Sequence, residues 1–145
     1  MSNLLNQENA ALLVIDVQER INAVMADQGH LPRLEVLIEA CREIGVPVLA
    51  SEQYPQGLGP TVDSLANLLG EDLPGKLTFS CARDDGLREA ITECGREQIV
   101  VTGIETHVCV LQTALDLIGG GFQVYVPHDA VNSRRPADKE WALHR

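Results

Sequence analysis

Along the chain, unbroken apolar runs alternate with stretches in which apolar residues return every third or fourth position. The unbroken runs are "ALLVIDV" (11–17), "VPVLAS" (46–51), "QIVVTGI" (98–104) and "FQVYVPHDAV" (122–131). The first three show almost no polar alternation, which is the pattern of parallel strands covered on both faces. Between them, Leu34, Leu37, Ile38 and Cys41 recur at helical spacing, as do Leu87, Ala90, Ile91 and Cys94, and Leu111, Ala114, Leu115 and Ile118. Gly45, Gly95 and Gly119 follow these periods where a C-terminal cap belongs. A further short helix is predicted within 61–70. Strands that alternate with helices predict an α/β fold, a three-layer sandwich around a mainly parallel sheet with right-handed crossovers. No internal repeat, low-complexity tract or interdomain linker interrupts the pattern.

Two glycine clusters test this layout. "GEDLPGKLT" (70–78) satisfies the spacing of a phosphate-binding loop up to its lysine, but Leu77 stands where a hydroxyl residue is required. Such a loop must leave a strand and open a helix, so that backbone N–H groups and the helix dipole face the anion. This one follows a helical segment, carries Glu71 and Asp72, and includes Pro74, which has no N–H. The match is accidental. Gly119–Gly121 ends a helix and precedes a strand, the reverse of a dinucleotide fingerprint.

Composition then narrows the function. The 145 residues fit one domain, long enough to bury ~70% of the unfolded surface. A formal net charge of −10 opposes a nucleic-acid partner, since a polyanion would be repelled. No apolar run approaches the ~18 residues that a membrane-crossing helix needs. The start "MSNLLNQENA" resembles neither a secretory signal nor a transit peptide. Cys41, Cys81, Cys94 and Cys109 form no C-x-x-C pair, and they are expected to be free thiols in the reducing cytoplasm. His30, His128 and His144 have no metal-ligand spacing, so no metal or other cofactor is expected.

Ligand sites in open α/β sheets gather beyond the carboxyl ends of the strands. Asp16 closes the first apolar run there, and a carboxylate at the rim of a buried strand needs a partner. Cys109 follows the strand at 98–104 through a short turn, with Thr106 as the expected N-cap. The first helical turn favours a thiolate. Lys76, in an irregular segment between two strands, is within reach of the same rim. Each has an ordinary alternative: a small buried hydrophobe for Cys109, a cap for Asp16, a solvated loop lysine for Lys76. Cys41 and Cys94 lie on the apolar stripes of their helices and are read as core. His107 points to a different helical face from Cys109 and is read as exposed.

"LLVIDVQE", "ASEQYPQGLGPTV", "KLTFSC" and "VVTGIETHVCVLQTALDLIGGGFQVYVPHDAVNSR" together resemble the isochorismatase-like cysteine hydrolase superfamily, nearest to its domain-containing members of undefined substrate. The likeness runs in consistent order from about Ala11 to the last residue. It implies a Rossmann-like α/β/α fold and an Asp–Lys–Cys triad carried by Asp16, Lys76 and Cys109. It also implies a non-proline cis peptide at Ile104–Glu105, aiming backbone N–H groups at an oxyanion together with that of Cys109. At least a homodimer is implied.

Departures from the family pattern sharpen the expectation. Isochorismatases that cleave a vinyl ether lack the cysteine, so Cys109 implies covalent hydrolysis. Nicotinamidases carry an Asp-x-His metal site after the second strand, where this chain has "SEQYPQGLG". Family members usually continue with another strand and helix, so a single domain over 1–145 with its last strand and helix missing is expected. The resulting expectation is a hydrolase of a small amide or related C–N bond, with Gln53 and Tyr54 either at the substrate mouth or in an ordinary loop turn set by Pro55. A non-catalytic oligomeric scaffold and a redox-sensing thiol protein are its rivals.

Overall fold

The computed structural model describes residues 4–145. In chain order its elements are β1 (Ala10–Ile15), α1 (Glu19–Asn22), α2 (His30–Glu43), β2 (Val48–Gln53), α3 (Pro55–Leu58), α4 (Asp63–Leu69) and β3 (Gly75–Lys76). A 3-10 turn (Cys81–Arg83), α5 (Asp85–Glu93), β4 (Gln98–Ile104) and a π-helical turn (Thr106–Val110) follow. The chain then forms α6 (Leu111–Gly119), β5 (Gln123–Tyr125), β6 (Val131–Asn132) and α7 (Pro136–His144). The strands build one parallel sheet in the order β3-β2-β1-β4-β5, and β6 pairs with the far end of β4.

The central strands are apolar throughout because successive side chains enter opposite layers. Ala11, Leu13 and Ile15 of β1 join Leu87, Ile91 and Leu117 from α5 and α6. Leu12 and Val14 join Leu34 and Ile38 of α2 and Leu65 of α4. The three-layer α/β/α arrangement read from the sequence is therefore present, with one apolar layer on each side of the sheet.

Four boundaries differ from the sequence expectation. β2 runs over 48–53 rather than 46–51, because Val46 closes α2 by donating its N–H to Cys41 O at 2.7 Å. That shift brings Gln53 into the sheet. The fourth run breaks into β5 and β6, since Pro127 lacks an N–H for the ladder and opens a turn closed by Ala130. The last residue of α6 is Gly119, and the left-handed glycine that closes the helix is Gly121 (φ 92°), with Phe122 N–H returning to Leu117 O at 3.0 Å. Lys76 belongs to a short strand, β3, and its residue-to-residue partner on β2 is Gln53.

Gly103 fixes how closely the two central strands approach at the rim. It has a φ of 108°, and a Cβ there would lie 2.1 Å from Ile15 O. The carboxyl ends of β1 and β4 can lie side by side only because this position has no side chain.

Candidate active site

Asp16 leaves β1 with a left-handed φ of 54°, a conformation that aspartate tolerates better than most residues. Its N–H donates to Ser51 O at 3.0 Å, which holds the turn against β2. Its side chain points into the sheet rim: Oδ1 accepts from Ser51 Oγ at 2.8 Å, and Oδ2 from Lys76 Nζ at 2.8 Å. Both side chains of this ion pair are 0% exposed.

The lysine reaches the rim because β3 pairs with the end of β2. Gln53 stands opposite Lys76, and Tyr54 N–H donates to Lys76 O at 2.9 Å. Besides Asp16, the ammonium contacts Gln53 Oε1 at 2.6 Å, Thr78 O at 3.0 Å and Phe79 O at 2.9 Å. Four acceptors surround a group with three N–H donors. Such dense bonding is what lets a charged side chain remain buried.

Cys109 lies in the π-helical turn directly beyond β4. Val110 N–H donates to Glu105 O at 3.3 Å, the wider spacing that defines the turn. Thr106 is not the N-cap expected from the sequence. Glu105 holds that position, and Thr106 Oγ1 is buried without a hydrogen-bond partner. The Ile104–Glu105 peptide is cis. The Glu105 carboxylate pairs with Arg134 Nε at 2.8 Å.

Cys109 Sγ lies 3.9 Å from Gln53 Oε1, a long contact even for sulfur. Burial pushes the thiol pKa well up, and the Asp16 carboxylate pushes it further; Lys76 opposes them without prevailing. The expected thiolate at the helix start is thus corrected to a protonated resting thiol. Burial and Asp16 outweigh the helix dipole in this setting.

The structure brings Asp16, Lys76, Cys109 and Gln53 to one point and leaves other candidates outside it. Tyr54 is half exposed, with a left-handed φ of 37°. It borders a surface cleft of about 690 Å³ together with Pro55, Leu77, Thr78 and Asp84. His107 is partly buried rather than exposed: its Nδ1 meets Ser133 Oγ at 3.0 Å. Cys81 is fully buried beside the site, 3.5 Å from Ser51 Oγ. Among the described residues, no group of three His, Cys, Asp or Glu side chains is arranged to hold a metal ion.

Sequence reasoning missed two polar side chains, Ser51 and Gln18. The period of a strand carried the signal for Ser51, since residues i and i+2 share a face and Ser51 precedes Gln53 by two. Gln18 had no local signal. Its fully buried side chain accepts from Gln53 N–H at 2.6 Å and donates to Gln53 O at 2.9 Å, so its amide clamps the end of β2.

Known proteins share this arrangement of chain and fold. The isochorismatase domain model matches residues 10–145. Isochorismatase domain-containing protein 1 of Danio rerio is 40% identical over 144 residues, covering 97% of this chain and 50% of that protein. The chain thus spans about half the length of this relative. The structure of the MAR1 ribonuclease of Caenorhabditis elegans superposes with a TM-score of 0.86 at 36% identity, covering 97% of this chain and 73% of that one. The YcaC gene product of Escherichia coli, described as an octameric hydrolase of unknown specificity, shares the fold with a TM-score of 0.89 at 24% identity, over 97% and 72%. With the domain match running from β1 through α7 and a relative this similar, the chain belongs to the isochorismatase family.

Proposed function

We propose that this protein is a cysteine hydrolase of a small amide or related C–N bond, with Cys109 as nucleophile, Asp16 as general base and Lys76 as electrostatic partner. The observation that carries the reading is the fully buried Asp16–Lys76 pair beside a thiol, Cys109, that borders Gln53 at the rim. A buried ion pair is weak support for stability alone, so a chemical role is the better account of it.

The resting trio holds one negative and one positive charge and a neutral thiol. Moving the thiol proton to Asp16 leaves that total unchanged, and the cation's partner shifts from carboxylate to sulfur. The sulfur then forms a bond to the substrate carbonyl carbon, whose electron pair moves to oxygen. Backbone N–H groups at the start of the π-helical turn, including that of Cys109, and the Ile104–Glu105 peptide are the proposed oxyanion cradle. Collapse breaks the C–N bond, and Asp16 returns its proton to the leaving nitrogen. Water next attacks the thioester as Asp16 takes its proton, releasing the acid and restoring the thiol. Tyr54 and Gln53 are proposed at the mouth, Tyr54 outermost.

Two other readings are less well supported. A redox sensor requires a low-pKa thiol, whereas burial and Asp16 hold both Cys109 and Cys81 up. The name of the C. elegans relative gives that protein a ribonuclease activity. For this chain, a net charge of −10 and a fully buried cation disfavour a polyanionic substrate. A homo-oligomer located in the cytoplasm completes the proposal; no described helix is long and apolar enough to cross a membrane.

Incubation with a panel of small amides, followed by intact-protein mass spectrometry, tests the reading. An acyl adduct on Cys109, absent from Cys109→Ala, is expected with at least one substrate. Turnover that survives Cys109→Ala would sink it.

A further inference from the structure

Gln53 is held on every side. Its backbone N–H and C=O are both engaged by the Gln18 amide, at 2.6 and 2.9 Å. Its side-chain Nε2 donates to Leu77 O at 3.3 Å, which fixes Oε1 as the end facing the lysine. Oε1 makes the shortest contact of the Lys76 ammonium, at 2.6 Å, and is also the atom 3.9 Å from Cys109 Sγ. One carbonyl oxygen therefore bonds the cation and faces the thiol. With Asp16, Thr78 O and Phe79 O as further acceptors, no N–H of Lys76 is left over for sulfur.

We propose that Gln53 is a positioning residue that engages the Lys76 ammonium and turns its own carbonyl oxygen to the Cys109 sulfur, so that the resting thiol faces an acceptor and stays protonated. The sulfur then meets the negative end of an amide dipole instead of an N–H donor. This deepens the hydrolase reading and takes from it only the identity of the nucleophile. The charged and titratable groups acting on the sulfur are Asp16 beyond β1, Lys76 on β3 and Cys81 in the 3-10 turn. On the thiol's own segment, Glu105 is paired with Arg134 and His107 with Ser133.

Two near-isosteric substitutions should move the thiol in opposite directions. Gln53→Met removes the oxygen and with it the dipole that opposes a thiolate, while Asp16, Thr78 O and Phe79 O still accept the three N–H donors of Lys76. Gln53→Glu sets a second carboxylate against the same sulfur. The readout is the rate at which iodoacetamide labels Cys109 in the resting protein, resolved by peptide mapping at several pH values, with Cys41 and Cys94 as internal references. The expected result is about tenfold faster labelling in Gln53→Met and about tenfold slower labelling in Gln53→Glu, each equivalent to a shift of about one pKa unit.

A residue that merely packs the site would, when replaced, loosen it and speed labelling in both variants. A residue that serves only to bind substrate would change neither. Either outcome overturns the proposal. If Gln53→Met does not fold, slower labelling in Gln53→Glu decides; if Gln53→Glu does not fold, the pH profile of Gln53→Met decides, since a lowered thiol pKa moves its midpoint down and looser packing only raises its plateau. Labelling needs no substrate, so the outcome is independent of whether Cys109→Ala abolishes turnover, and either reading can fail alone.

Discussion

At the residue scale, the ion pair and the buried histidine make separate predictions. Removing one partner of a buried pair leaves the other charge uncompensated, at a cost of about 3–5 kcal/mol. Lys76→Met should therefore lower stability by about that amount, and adding Asp16→Asn should recover much of it. Urea unfolding of the two single variants and the double variant measures the coupling; additive losses would mean that the two charges act independently. His30 gives a pH dependence. It is 2% exposed, its Nε2 meets Asn22 Oδ1 at 2.7 Å, and its Nδ1 meets Asn132 Nδ2 at 3.0 Å. These partners need a neutral ring with the proton on Nε2. Burial lowers its pKa from 6.5 to about 4, while Asp27 opposes the shift and Lys139 adds to it. The unfolded state then binds the extra proton first, so the contribution is complete above pH 6.5 and is lost progressively as pH falls to about 4. His30→Gln should flatten the stability profile in that window, as read by thermal melts between pH 4 and 7.

The π-helical turn and the two central strands explain the site at the element scale. β1 and β4 carry its two sides, and Gly103 sets their separation. Gly103→Ala would drive a methyl group into the Ile15 backbone at a φ that alanine avoids. A loss of about 3 kcal/mol or more is expected. Denaturant titration checks this, and an unchanged midpoint would show that the strand ends can part freely. β3 is only two residues long, yet its register decides whether Lys76 meets Gln53. Apolar periodicity located α2, α5 and α6 correctly because each buries a stripe against the sheet. β3 has no such signature: Gly75 is exposed, Lys76 is buried, and neither is apolar.

Across the whole molecule, β5 forms one border of the sheet and is only half covered. Beside it, Leu115 and Ile118 of α6 and Trp141 and Leu143 of α7 expose apolar surface. Covering that surface should be stabilising at roughly 25 cal/mol per Å². Extending the chain past Arg145 by a strand that pairs with β5 and a helix that covers this face is expected to raise the melting temperature. An unchanged melting temperature would show that this face gains nothing from further chain. Turnover, once a substrate is in hand, is expected to withstand chelator, because the described residues offer no metal cluster. Activity lost with chelator and restored by zinc or manganese would overturn the metal-free reading.

The sequence by itself determined the layers, the parallel sheet and the placement of Asp16 and Cys109 at strand ends, because these follow from periodicity within short windows. Only the tertiary structure decided how the chemistry is wired. Ser51 meets Asp16 across 35 positions, Gln18 clamps Gln53 across 35, and Lys76 reaches Asp16 across 60. No local pattern encodes such contacts, since they depend on strand register and on which side chains turn inward. The protonation of Cys109 is the clearest case. Its position at a helix start argues for a thiolate, but burial and a carboxylate at the end of the neighbouring strand reverse the sign.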